Sequence, residues 1–166
     1  MARLEERFER PHGDAESARS ELERLAATAK EVVVVSACLV GVHCRHDGDH
    51  REKKGRLAAL GDVEILPLCP EMLAGFGVPR PTLTLSLDGK TVIDKDGRDV
   101  TAALRAGVQT AAGYAETCQA KRALLKERSP SCGVAAVHSE TGLRAGEGFF
   151  TAELKRRRLR VVSDED

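Results

Sequence analysis

Three strand-like runs, far apart in the chain, each lead into a cysteine, and this arrangement constrains the fold more than any other feature. Val32-Val33-Val34-Val35-Ser36-Ala37 precedes Cys38, and Val63-Glu64-Ile65-Leu66-Pro67-Leu68 precedes Cys69. Arg122-Ala123-Leu124-Leu125-Lys126 precedes, after a short polar turn, Ser129-Pro130-Ser131-Cys132. As parallel strands of one sheet, these runs place all three thiols at the same sheet edge. Open α/β sheets bind their ligands at the carboxyl ends of the strands. Three thiols there predict a metal or iron–sulfur site with one position left open.

The rest of the chain supports a layered α/β domain with a mostly parallel, Rossmann-like sheet. Strand-like and helix-like segments alternate, which is the signature of parallel strands with helical crossovers. A short helix is expected over Lys53–Leu60. Thr82–Leu87 alternates at period two, and Asp88-Gly89 before Lys90–Ile93 signals a hairpin. Asp99 or Thr101 can cap a long helix reaching about Ala120, whose stripe of Val100, Leu104, Val108, Ala111, Ala115 and Cys118 predicts that Cys118 packs in the core. Further strands are expected at Val134–His138 and Leu159–Ser163, with a helix over about Phe150–Arg158 between them. Residues 1–30 read as a charged N-terminal extension with a helix from about Ala15 to Lys30, packing on the domain or on a partner subunit, so that a homo-oligomer is one expected assembly. Residues 31–166 form the α/β domain itself.

Composition narrows the partners. The chain has 166 residues, enough for one domain with a real core. Its 26 basic and 26 acidic side chains cancel, so no strong field draws nucleic acid or anionic membrane. Aromatic residues make up only 3%, which argues against a base-stacking surface. No apolar stretch approaches the roughly 20 residues of a membrane helix, and the charged start from Arg3 to Arg10 lacks a signal core. A cytoplasmic location is therefore expected. There thiols stay reduced, and an odd count of 5 cysteines suits ligation or chemistry better than disulfides.

Several side chains could act at the predicted site. Glu71, two residues after Cys69, is either an acid–base group or a carboxylate stabilising the turn that follows Pro70. Ser129 and Ser131 can donate to a ligand or to the turn backbone. Cys44, in the polar loop after Cys38, is compatible with a fourth ligand, a shuttle thiol or a loop residue. His43, His46 and His50 crowd that loop with Asp47 and Asp49, a pattern shared by zinc or iron sites and, more often, by exposed loops. His12 and His138 have no local support.

Ordered motifs add a resemblance. Ser36-Ala37-Cys38-Leu39-Val40-Gly41-Val42-His43-Cys44-Arg45-His46-Asp47-Gly48, Cys69-Pro70-Glu71, Arg80-Pro81 and Gly97-Arg98-Asp99-Val100-Thr101 follow one another. Arg128-Ser129-Pro130-Ser131-Cys132-Gly133, Gly146-Glu147-Gly148-Phe149-Phe150-Thr151-Ala152-Glu153-Leu154 and Val161-Val162-Ser163-Asp164-Glu165 complete the series. Together they resemble the thiouracil desulfidase family, from about residue 31 to the C-terminus. The resemblance implies a [4Fe-4S] cluster held by Cys38, Cys69 and Cys132, with one iron open to the sulfur of a thiolated pyrimidine. It implies Glu71 as catalytic glutamate and Ser129 as assisting serine in a hydrolytic, non-redox desulfidation that releases sulfide. A small-molecule thiouracil or thiouridine nucleotide is the expected substrate. The rival expectations are a zinc hydrolase built on the same three cysteines and a non-enzymatic carrier of metal or clusters.

Overall fold

Val33, Val34 and Val35 are fully buried, because the first strand is covered on both faces. The alternation of a strand sends Val34 to one core and Val33 and Val35 to the other. That is the pattern of a parallel sheet sandwiched between layers. The computed structural model describes residues 29–166 together with Glu16, Arg19, Ser20, Glu23 and Arg24. Those five earlier residues have helical backbone, and Arg19 pairs with Glu23 one turn on at 3.1 Å. The helix expected over 15–30 otherwise lies outside the described residues.

Residues Glu31–Asp166 fold as one unit around two sheets. The first sheet contains β1 (Val32–Ser36), β2 (Glu64–Leu68), β5 (Arg122–Leu125) and β8 (Arg160–Ser163). Its order is β2-β1-β5-β8, and every pairing is parallel. The second sheet contains β3 (Leu83–Leu85), β4 (Val92–Asp94), β6 (Ala136–Ser139) and β7 (Gly142–Ala145), in the order β4-β3-β6-β7. Two antiparallel hairpins, β3-β4 and β6-β7, join there through a parallel contact between Leu85 and Ser139. The sheet prediction therefore holds for the first layer. The hairpins close a separate, mixed sheet, and β7 was not anticipated: its residues Gly142-Leu143-Arg144-Ala145 are too exposed and polar to carry an alternating signal.

Four helices cover the sheets: α1 (Lys54–Ala58), α2 (Pro70–Leu73), α3 (Thr101–Thr117) and α4 (Phe149–Arg156). None of the described helices is long and apolar enough to cross a membrane. The apolar stripe of α3 packs as expected, with Leu104, Val108, Ala111 and Ala115 buried beside Phe150 and Leu154 of α4. Cys118 is the exception, because it is exposed. The helix ends at Thr117, and Gln119 turns to a positive φ of 56°, so the stripe stops one turn before Cys118.

The long helix also bears on the site. Gly107 faces α2 so closely that a Cβ there would lie 2.2 Å from the Pro70 carbonyl oxygen and 2.6 Å from the Ala74 nitrogen. Only a glycine admits this approach, and it seats the Cys69-Pro70-Glu71 turn against the core. Gly107→Ala is expected to destabilise the fold by about 1–3 kcal/mol through overpacking. Thermal unfolding should report this as a drop in Tm of several degrees, and an unchanged Tm would contradict the close approach.

Candidate active site

β2, β1 and β5 are adjacent and parallel, so their carboxyl ends lie side by side. Cys69, Cys38 and Cys132 follow those ends, and all three line one cavity of about 410 Å³. Cys38 and Cys132 are buried and Cys69 is half-buried. Each cysteine is placed by different local chemistry. Cys38 lies in a 3₁₀ turn, Ala37–Val40, which begins directly after β1 and closes on Gly41 in the left-handed region at φ 90°. Cys69 precedes Pro70, which occupies the first position of α2, where its missing N–H costs nothing.

The Cys132 loop is built around a buried carboxylate that sequence analysis did not single out. Glu127 Oε1 accepts backbone N–H groups of Val134, Ala135 and Ala136 at 3.1, 3.0 and 2.8 Å, and that of Arg128 at 3.3 Å. Arg128 itself adopts a positive φ of 69°, which turns the chain out of β5 toward Ser129. On the other side, α4 presents its unpaired N-terminal N–H groups to the same loop. Phe149 and Phe150 donate to the carbonyls of Pro130 and Ser131 at 3.0 and 2.7 Å, and the Thr151 hydroxyl donates to Cys132 O at 2.8 Å. A Cβ on Gly148 would sit 2.5 Å from the Ser131 carbonyl, and one on Gly133 would sit 2.4 Å from Ala136 O. The glycine-rich Gly146–Phe150 motif thus serves the cysteine loop by letting α4 dock on it.

Glu71 lies in the cavity wall with both carboxylate oxygens engaged. Oε2 accepts from Arg80 Nε at 2.7 Å, and Oε1 accepts from the hydroxyls of Ser131 and, at 3.3 Å, Ser129. The two hydroxyls also bond to each other at 2.8 Å. Ser131 is therefore the closer partner of Glu71, although Ser129 is the one assigned the assisting role from sequence. Arg80 had no individual role before the structure; its only sequence signal was membership in the Arg80-Pro81 motif.

Cys44 joins the site as a fourth buried thiol. Its side chain hydrogen-bonds with those of Cys38 and Cys69, and its carbonyl accepts from Arg80 Nη2 at 2.8 Å. Contact with Cys38, then burial, pushes the Cys44 thiol up to about 11, against an opposing hydrogen bond with Cys69. Contact with Cys44, followed by burial, pushes the Cys69 thiol far above the usual range. Burial and the neighbouring Cys69 push Cys132 up to about 12, while the Ser36 hydroxyl pulls the other way. These three thiols hold their protons at neutral pH, so any metal bound through them must displace protons.

Other polar groups take up separate positions. His46 and His138 line the cavity, as do Arg45, Arg51 and Lys126. His43 and His50 stack edge to face at 4.8 Å, and their Nδ1 atoms are used locally, by Gly48 O and by the Glu52 N–H. Asp47 and Asp49 accept backbone N–H groups of the same turn. This loop is held together by its own hydrogen bonds. Among the described residues, no three His, Cys, Asp or Glu side chains converge on one point to hold a single metal ion.

The family model described as 2-thiouracil desulfurase matches residues 33–166. The chain belongs to the 2-thiouracil desulfurase family. A solved structure, the [4Fe-4S]-dependent thiouracil desulfidase TudS, superposes with a TM-score of 0.72 at 37% identity, covering 82% of this chain and 92% of that one. The uncharacterized protein YbbK of Bacillus subtilis (strain 168) is 32% identical over 146 residues, which is 81% of this chain and 97% of YbbK. The match begins within β1 and takes in every cysteine of the cavity.

The Glu127 carboxylate offers a direct check on how this desulfurase-family site is held. Desolvation raises its pKa, but hydrogen bonds from Ala136, Ser163, Ala135 and Arg128 outweigh burial and hold it below its ordinary value of about 4.5. A depressed carboxyl contributes stability that is complete above the ordinary value and is lost as pH falls through the folded-state value. Glu127→Gln should therefore cost about 1.5–3 kcal/mol at neutral pH, typical of hydrogen bonds to a charged group. Denaturant unfolding across pH should show that gap closing below about pH 4.5. A gap that is constant with pH would mean the charge is not what holds the loop.

Proposed function

We propose that this protein is a [4Fe-4S]-dependent desulfidase that converts a thiolated pyrimidine, a thiouracil or thiouridine nucleotide, to its oxo form. The observation that carries the proposal is the shared cavity: three thiols from three neighbouring strand ends, with a fixed carboxylate between two hydroxyls and a guanidinium. Water adds to the C=S carbon, the C–S bond breaks, a C=O bond forms, and sulfide leaves. Oxidation states do not change.

The donor set suits a cluster. Each cluster cysteine binds a different iron, so the thiols need not meet at one point. Cys38, Cys69 and Cys132 would hold the cluster; the [4Fe-4S] dependence of TudS supports a cluster in this family member. When bound, it supplies a Lewis-acidic iron free of protein ligands, with affinity for the substrate's sulfur.

This chain's own residues manage protons and position. Glu71 Oε1, already hydrogen-bonded, takes a proton from the attacking water. The Ser131 and Ser129 hydroxyls, linked at 2.8 Å, extend that carboxylate's reach and pass protons along the wall. A cavity of about 410 Å³ suits a small molecule better than a folded RNA. The proposed setting is the cytoplasm, where thiols such as those of the cavity stay reduced.

Anaerobically reconstituted protein should be brown, bleach the thiocarbonyl absorbance of 2-thiouracil or 4-thio-UMP, and release sulfide. Cys132→Ala should lose both colour and turnover. Glu71→Gln should keep its colour and lose at least about 100-fold in rate, the lower range for acid–base groups. Brown protein without turnover on either compound would sink the proposed reaction, and colourless protein would favour the zinc alternative.

A further inference from the structure

Arg80 makes more directed contacts around the cavity than its single charge pair requires. Its side chain is only 5% exposed. Nε donates to Glu71 Oε2 at 2.7 Å, Nη1 donates to Gly77 O at 2.9 Å and approaches Met72 Sδ at 3.8 Å, and Nη2 donates to Cys44 O at 2.8 Å. The Arg80 backbone N–H also donates to His46 O at 2.9 Å. One residue thus joins the loop after the first strand, the turn after the second and the segment leading to the third.

We infer that Arg80 is the positioning residue that aims the Glu71 carboxylate at the reacting centre and locks it to the Cys38–Cys44 loop. The inference rests on the desulfidase reading given above. The carboxylate has two oxygens and two fixed sets of donors, Arg80 on one side and the serine hydroxyls on the other. Together they fix its plane, because neither set alone prevents rotation about the terminal bond of the side chain. A proton-transferring group must lie within hydrogen-bond reach of its target, and a displacement of about 1 Å can cost roughly 100-fold in rate. Arginine suits this place because Nε, Nη1 and Nη2 of its rigid planar fork each reach a different acceptor, a geometry that the single nitrogen of lysine does not reproduce.

Arg80 does not itself meet the substrate's sulfur or the attacking water in this scheme; it acts through Glu71. That sets the expected signature. After anaerobic reconstitution, Arg80→Gln should keep wild-type iron and sulfide content per chain and a KM for 2-thiouracil within about threefold, while kcat falls about 100-fold. Arg80→Lys, which retains the charge next to Glu71, should recover part of that loss. A crystal structure of Arg80→Gln should show the Glu71 carboxylate rotated away from Ser131. A kcat within threefold of wild type, or a loss that only tracks iron content, would overturn the inference. So would a Glu71 that keeps its place and its Ser131 hydrogen bond in that crystal structure, whether or not the protein turns over thiouracil. Wild-type protein that carries the cluster and releases no sulfide would instead sink the reaction, and the crystal structure would still decide the role of Arg80.

Discussion

Because one carboxylate oxygen of Glu127 accepts the backbone N–H groups of Arg128, Val134, Ala135 and Ala136, the loop carrying Cys132 leaves β5 and returns to the same point. The rest of the site depends on that closure. Four backbone N–H groups share this single buried acceptor, which gathers the loop around one point. The same residue's own N–H is taken by Asp164 Oδ1 at 2.7 Å, which accounts for the Ser163-Asp164-Glu165 motif at the far end of the chain. Lys53 approaches that aspartate from the other side at 3.6 Å. The C-terminal strand is thereby recruited to hold the third cysteine without touching it.

Docking of α4 completes the closure from above. Its first N–H groups meet carbonyls of the Ser-Pro-Ser-Cys-Gly loop, so helix and loop satisfy each other's unpaired backbone groups. Gly148 has no Cβ because helix and loop backbones approach to contact distance there, and Gly133 has none because the loop folds back on Ala136 O and Ser129 O. Sequence motifs spread from Glu127 to Glu165 therefore describe one object in space, a cysteine loop held by the Glu127 carboxylate and by the first turn of α4. Rigid placement of this kind is what a site needs if its ligands are to stay in position while substrate enters.

β1 and β5 were legible in sequence because a parallel strand buried on both faces is a continuous apolar run; β2, an edge strand exposed over most of its length, was legible from its Ile65-Leu66 and Leu68 and the Cys69-Pro70 that follows. The stripe of α3 was legible from its helical spacing, up to Ala115. Its extension to Cys118 failed because the helix stops at Thr117, and helical spacing carries no mark of where hydrogen bonding ends. Glu127 was invisible: a glutamate between a strand and a turn usually faces solvent, and only the fold shows it surrounded by backbone donors. Ser131 and Ser129 were equivalent as text, and the difference between them is the direction each hydroxyl points. Arg80 stood in a motif, but its partners lie 3 to 36 residues away and no local pattern joins them.

The arrangement of Glu71 bears most on what kind of protein this is. A carrier of metal or clusters needs thiols that open and exchange, and it has no use for a carboxylate fixed at both oxygens beside them. Here the thiols sit at three strand ends, and the Glu71 carboxylate, two residues beyond Cys69, is held by its own hydrogen bonds from Arg80, Ser129 and Ser131. In the proposed reaction the three thiols hold the cluster while Glu71 handles the protons of water. The proposed desulfidation requires both, acting at once on one substrate.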